Sequence, residues 1–254
     1  MARSFNGTSD YISTGLKITH SNGTLACRFR ISSAPSANDV YVGQNATGDG
    51  TLGLGFQAQL GNLVGYVNNN SSGSAGAILT DSSEQTFVLT WGSAGIKCYL
   101  NAGTAATNAH TGAPTANAAA HGIMEIGAFN YSGGRLLFPP IAGAADFAIW
   151  DEALGADEVA AYHKGFSPLL IRSHALTNYC RILGNDSPEP DIVGGGTFTV
   201  TGAAKADHQR VFMPYPPKAF PIPAAAAATG QPYVKRIGGV RGMERHIGSG
   251  VRIW

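Results

Sequence analysis

The stretch that decides the fold is Thr86-Phe-Val-Leu-Thr-Trp-Gly-Ser-Ala-Gly-Ile-Lys-Cys-Tyr-Leu100. Two runs rich in β-branched, aromatic and aliphatic residues flank Gly92-Ser-Ala-Gly95. Such side chains suit a pleated, half-buried surface. A short connection bounded by glycines suits a tight reversal of chain direction. The stretch therefore reads as an antiparallel hairpin, with Gly92–Gly95 as turn chemistry.

Similar runs extend on both sides. In Gly23-Thr-Leu-Ala-Cys-Arg-Phe-Arg-Ile31, Leu25, Cys27, Phe29 and Ile31 share one face, and Arg28 and Arg30 take the other. Asp39–Gly43, Leu52–Leu60, Asn62–Val67, Gly122–Gly127 and Gly143–Trp150 follow the same logic, with Leu52, Leu54 and Phe56 on one side of their strand. At the start, Phe5 and Tyr11-Ile12 flank an Asn6-Gly7 turn and read as first-strand residues closing against Phe147–Ile149, with Asp10 organising the loop. Roughly nine or more strands recur with no long helical period between them, which predicts an all-β sandwich. One helix is expected over Leu154–Gly165, with Asp157 and Glu158 near its start and Lys164-Gly165 at its end.

Composition agrees. Of 254 residues, 44% are hydrophobic and only 13% charged, with 34 glycines. That mix favours short strands and many turns. The formal net charge of +1 is unevenly spread. Residues 203–254 hold 8 Lys/Arg against 2 Asp/Glu, whereas residues 1–202 hold 9 against 14. The three cysteines, Cys27, Cys98 and Cys180, show no metal-binding spacing and read as buried thiols in a reducing compartment. No basic, apolar leader precedes Phe5, and no apolar run approaches the length of a membrane span, so neither a classical secretion signal nor a span is expected.

Beyond residue 170 the character changes. Gly184–Asp191 is a polar, proline-bearing loop, and Gly196–Thr201 a short strand. Pro214, Pro216, Pro217, Pro221 and Pro223 then preclude a central strand or long helix. The expected organisation is a β-sandwich domain at 1–170, a connecting segment with a short strand at 171–202, and a Pro-rich basic arm at 203–254. In the arm, Lys235, Arg236, Ile237, Val240, Arg241, Arg245, Arg252, Ile253 and Trp254 are the candidate protein-interface residues. Its few aromatics argue against a nucleic-acid groove.

Taken in order, Phe5-Asn-Gly-Thr-Ser-Asp-Tyr-Ile12, Thr86–Trp91, Cys98-Tyr-Leu-Asn-Ala-Gly103 and Phe147–Leu154 with its following helix resemble the motifs of laminin G-like, concanavalin A-like jelly-roll domains. The likeness covers about residues 3–166, with Ala102 interrupting the usual strand-turn pattern. The stretches 184–196 and 197–202 and the Ile237-Gly-Gly-Val240 ending more loosely resemble tailed-bacteriophage structural proteins. Lectins, pentraxins, glucanases and virion proteins share the fold, so fold alone does not fix function.

The resemblance implies two sites. Calcium, bound in such domains by loop oxygens, would draw on Asp10, Asp39, Asp49 and Asp146. A glycan would stack on Tyr66 beside Asn69, Asn70, Ser71 and Ser72, a cluster whose bland reading is a solvated turn. Hydrolysis is not expected. Glucanases of this fold array carboxylates on one strand face as E-x-D-x-E, and none occurs here. Glu125 stands alone, Asp151-Glu152 and Asp157-Glu158 are adjacent pairs, and no serine elbow, H-E-x-x-H or phosphate loop appears. The expectation is a non-enzymatic bacteriophage virion structural protein, a capsid decoration or cement protein. It would be assembled in the host cytoplasm, bind the major capsid protein and neighbouring copies through its arm, and form an oligomer such as a trimer. The alternative is a carbohydrate-binding module of a tail or fibre.

Overall fold

The computed structural model describes residues 2–35, 38–137, 140–184 and 186–207. The chain divides into Met1–Pro214 and Tyr215–Trp254, and the architecture below is that of the first unit. The described strands are β1 (Ala2–Phe5), β2 (Tyr11–Ser13), β3 (Gly23–Ile31), β4 (Val40–Asn45), β5 (Leu52–Gln59), β6 (Asn62–Val67), β7 (Asn70–Ala77), β8 (Glu84–Trp91) and β9 (Ile96–Leu100). They continue with β10 (Ala106–Asn108), β11 (Glu125–Ile126), β12 (Ala128–Tyr131), β13 (Gly134–Leu137), β14 (Ile141–Trp150), β15 (Leu176–Cys180), β16 (Glu189–Pro190), β17 (Thr197–Thr201) and β18 (Ala204–Ala206). Among the described residues a single α-helix, α1 (Ala156–His163), lies between β14 and β15.

Two antiparallel sheets form a jelly-roll sandwich. The first runs β10-β9-β8-β3-β14-β1-β18, with β15 also paired to β14. The second runs β16-β17-β2-β11-β4-β5-β6-β7. The alternation in β3 is realised: Leu25, Cys27, Phe29 and Ile31 enter the inter-sheet core. There Phe87 meets Phe29, Tyr41 and Phe56 at centroid separations of 5.1, 5.4 and 5.8 Å, in tilted and edge-on contacts that aromatic quadrupoles favour. The predicted hairpin is β8–β9, closed by the Gly95 amide donating to the Gly92 carbonyl at 3.0 Å.

The other face of the first sheet is buried as well. Helix α1 and the segment after it cover Ala26, Val88 and Trp150 with Val159, Tyr162, Ile171 and Tyr179. The helix starts at Gly155, whose amide donates to the Glu158 carboxylate at 2.8 Å in place of a side-chain cap. It stops at Gly165, which takes φ +95°. Arg28 is outward-facing as the alternation requires, yet α1 seals it completely. Its Nε lies 3.0 Å from Asp146 Oδ2 and its Nη1 donates to Glu84 at 3.0 Å. Its Nη2 donates to the Tyr162 carbonyl, and its guanidinium carbon sits 4.2 Å from the Tyr162 ring centre. Asp146 sits where the β14–β3 register shifts, with φ +52°, and accepts from the Tyr179 hydroxyl at 2.8 Å.

Three sequence expectations need correction. Tyr11 and Ile12 do not join Phe5 against β14: β1 pairs β14 as Arg3↔Ala144 and Phe5↔Ile141, whereas β2 belongs to the second sheet, between β11 and β17. The Asn6–Asp10 loop carries the chain from one sheet to the other. Its Asn6 side chain accepts from the Thr8 and Ser9 amides, and its Asp10 side chain accepts from the Asn6 amide at 2.9 Å. Leu52 leaves the Leu54–Phe56 face for an outer cluster, because the β4–β5 register shifts beside it. The segment 171–202 is not merely connecting. It supplies β15 to the first sheet and β16 and β17 to the second, and β18 extends the sandwich to Ala206, past the expected start of the arm.

All three thiols are buried. Burial pushes Cys98 and Cys180 up to about 12 and raises Cys27 well above its ordinary value. An unfolded thiol ionises near 9. Between these values the folded chain holds protons that the unfolded chain releases, so stability is intact below pH 9 and falls as pH rises toward 12. The limiting slope is about 1.4 kcal/mol per pH unit for each thiol. The urea midpoint should therefore drop between pH 9 and pH 11, and less steeply in a Cys98→Ala/Cys180→Ala variant. A midpoint constant to pH 11 contradicts this account.

Candidate functional site

One end of the sandwich carries the loops at 46–51, 68–69, 92–95 and 151–155. β3 and β9 begin there, and β8 and β14 end there. In the second sheet β4 and β6 end there, and β5 and β7 begin. Segment 14–22 ties the two sheets together at this end. Gln44 exchanges hydrogen bonds with the Ile18 backbone at 2.6 and 2.8 Å, and Trp91 Nε1 donates to the His20 carbonyl at 2.8 Å.

Here the outer face of the first sheet opens into a cleft of about 470 Å3, within the size range of small-ligand sites. Its floor is Thr90 and Lys97, directly paired across β8 and β9. The register that sends Leu89 and Cys98 into the core turns these two outward. The Gly92–Gly95 turn forms one wall with Asn22, and residues 152–155 form the other with Arg172.

Arg172 fixes the second wall. Its Nε and Nη2 donate to the two Glu158 oxygens at 2.9 and 2.6 Å, while Nη1 donates to Glu152 Oε2 and the Ala153 carbonyl, both at 3.0 Å. All three nitrogens are thereby engaged, a bidentate geometry that sets the wall against α1. Among the described residues, the remaining Glu152 oxygen meets only His174, at 3.8 Å. Lys97 has no hydrogen-bond or ion-pair partner among the described residues.

The residues singled out from sequence fall elsewhere. Asp10 organises the β1–β2 turn. Asp39 precedes β4, where its backbone carbonyl accepts from the Ala58 amide at 2.6 Å. Asp49 accepts from the Thr47 hydroxyl and the Thr51 amide, and those hydrogen bonds hold its carboxyl down at about 2. Asp146 is in the core against Arg28. Among the described residues no three His, Cys, Asp or Glu side chains come together to hold a metal ion. Tyr66 is 8% exposed. It packs with Val40, Leu52, Val64 and Phe129, and its hydroxyl accepts from Gln59, so its ring offers no open platform. Asn69 and Asn70 shape the β6–β7 turn, and Ser72 is buried, accepting from the Gly65 amide. The arm residues Lys235 to Trp254 lie outside the described residues.

Buried acids are likewise committed. Glu125 accepts both bonds of Arg135 at 2.7 and 2.8 Å, and that guanidinium stacks 3.9 Å above the Tyr11 ring. Glu189 pairs with Arg3 at 2.9 Å, and Asp191 accepts from the Tyr179, Val193 and Gly194 amides. Glycoside hydrolysis needs one carboxyl as acid and another as base or nucleophile, facing each other across the sugar. These carboxylates instead face arginines or backbone amides. Sequence reasoning missed Lys97, Glu152 and Arg172 as a group, because three distant segments supply them. The one local signal was the glycine-bounded turn at 92–95.

A family model described as the concanavalin A-like lectin/glucanases superfamily (Laminin_G_3) matches residues 6–160. No curated protein matches the sequence. Among solved structures, a protein of Bacteroides ovatus ATCC 8483 described as a candidate carbohydrate binding protein superposes with a TM-score of 0.61 at 14% identity, over 83% of this chain. This chain spans 62% of that protein's length. The heptameric SAP-like pentraxin of Limulus polyphemus gives 0.47 at 15% identity, over 63% of this chain and 80% of the pentraxin. Trypanosoma rangeli sialidase gives 0.42 at 14%, over 56% of this chain and 22% of the enzyme. No α-helix among the described residues is long and apolar enough to cross a membrane.

Proposed function

The chain belongs to the concanavalin A-like lectin/glucanase superfamily, and on that premise we propose that it is a non-catalytic carbohydrate-binding module whose site is the cleft on the first sheet. The observation that carries this reading is the cleft itself. It has the volume of a small-sugar site and a lining of amide, hydroxyl, ammonium and carboxylate groups. Such groups can exchange hydrogen bonds with ligand hydroxyls in place of water. Arg172 ties up both oxygens of Glu158 and one of Glu152, which supports binding over hydrolysis. The carbohydrate-binding description of the Bacteroides structure points the same way, at the level of the fold.

Ala94 is exposed on the cleft wall, in the β8–β9 turn. Ala94→Trp should fill the space without touching the core. On a glycan array the protein should retain a defined set of sugars, and this variant should lose about tenfold or more in affinity with an unchanged melting temperature. An array with no retained sugar refutes the reading, and a variant that binds like the parent moves the site elsewhere.

A second reading is a bacteriophage virion component that assembles through its C-terminal arm. It rests on the charge contrast between residues 203–254 and the rest of the chain. A chain ending at Asp207 separates the two. Glycan binding persists under the first reading. Under the second, association with a shell or with other copies is lost.

A further inference from the structure

The charges around the cleft are not equally committed. Arg172 spends every nitrogen on Glu158, Glu152 and the Ala153 carbonyl. It is a structural clamp whose charge already faces Glu158 and Glu152, with a single Nη2 N–H left over. Lys97 differs. Its ammonium stands on the cleft floor, held outward by the β8–β9 register, with no partner among the described residues. Glu152 also lines the cleft, and one of its carboxylate oxygens meets, among the described residues, only His174, at 3.8 Å.

The cleft therefore offers one uncommitted cationic donor and one uncommitted anionic acceptor. A neutral sugar would satisfy Glu152 through its hydroxyls and leave the Lys97 charge unmatched. A bare inorganic anion would match Lys97 and bring no donor to Glu152. A molecule carrying both an anionic group and neighbouring hydroxyls satisfies each, with charge-assisted hydrogen bonds at both ends. Resting on the carbohydrate-binding reading above, we propose that the ligand is an acidic sugar, whose carboxylate or sulfate meets Lys97 while its hydroxyls donate to Glu152.

The test is calorimetric titration of the full chain with three probes of matched length: a trigalacturonate, a sulfated trisaccharide and a neutral galactotriose. Inorganic sulfate serves as a fourth probe. At least one acidic sugar should bind about tenfold more tightly than the neutral one, and Lys97→Met should abolish that preference. Preference for the carboxylated or for the sulfated probe identifies which anionic group the site takes, and either outcome supports the proposal. Lys97 is partly exposed on a strand surface, so the variant should fold, which its melting temperature checks. Glu152→Gln should weaken the acidic sugar and leave inorganic sulfate unaffected.

If the neutral sugar binds as tightly as the acidic ones, this proposal is overturned and the carbohydrate-binding reading survives. If sulfate alone binds as well as the sulfated sugar, the site takes a simple anion and the proposal is overturned. If neither this panel nor the glycan array yields a ligand, both readings fail together.

Discussion

Asp146→Asn should destabilise the fold by about 3–5 kcal/mol, the cost of stripping a buried charge of its partner. The substitution keeps the size of the side chain and tolerates the left-handed backbone at this position, φ +52°. What it removes is the negative charge 3.0 Å from Arg28 Nε, where both side chains are 0% exposed. Glu84 cannot take over, because its side chain is 37% exposed and already meets the other end of the guanidinium. Glu84→Gln should accordingly cost no more than about 1 kcal/mol, as solvent screens that pair. Removing both charges, as in Arg28→Met/Asp146→Asn, should recover much of the loss, since no lone charge then remains in the core. Urea unfolding at pH 7 measures all four chains, read as midpoint shifts at constant slope. Equal losses in Asp146→Asn and Glu84→Gln would show that α1 does not seal the pair from water.

A chain cut after residue 170 should not fold, although it contains the whole of the matched segment 6–160. The cut removes β15 from β14 and β17 from β2, which opens one edge of each sheet. It also removes β18 from β1 and leaves Arg3 without Glu189. Phe198 disappears from the core, where it stands edge-on to Phe147 at 5.3 Å. Loss of one buried phenylalanine costs about 3–5 kcal/mol by itself. Added to the lost Arg3–Glu189 pair and the bared strand edges, it is comparable with the roughly 5–15 kcal/mol by which a domain is stable. A chain ending at Asp207 retains every one of these contacts and should melt cooperatively. Circular dichroism and proton–nitrogen correlation spectra of the two chains decide the matter. A dispersed spectrum from the shorter chain would place the domain boundary at 170 after all.

Much of the fold was legible because its signals are local. The alternation of Leu25, Cys27, Phe29 and Ile31 names the inner face of β3, and the glycines at 92 and 95 name a turn. The acids at 157 and 158 and the glycine at 165 bound the helix, and Asp10 was legible as a loop organiser. The misreadings have physical sources. Alternation assigns Arg28 to the outer face and cannot say that a helix 130 residues later will cover it. Asp146 entered the calcium set through the resemblance to calcium-binding domains, whereas in the fold its charge answers Arg28. Residues 171–202 seemed to connect because their strands are short and lie at sheet edges, where pairing comes from one side only. The cleft was illegible because Lys97, Glu152 and Arg172 acquire meaning only once β9, the end of β14 and the segment after α1 are side by side.

The pairing of β1 also bears on how the chain acquires its structure. Ala2 is opposite Ala206 in β18 and Arg3 is opposite Ala144 in β14, so β1 is synthesised long before either of its neighbours. At ribosomal rates of about 5–20 residues per second, roughly 10–40 s separate Ala2 from its β18 partner. Closing so long a loop adds entropy cost before any contact rewards it, and such topologies fold slowly. During that interval β2, β3 and the β8–β9 hairpin have unpaired or half-covered edges. Yield on expression should therefore depend on temperature more than the final stability does.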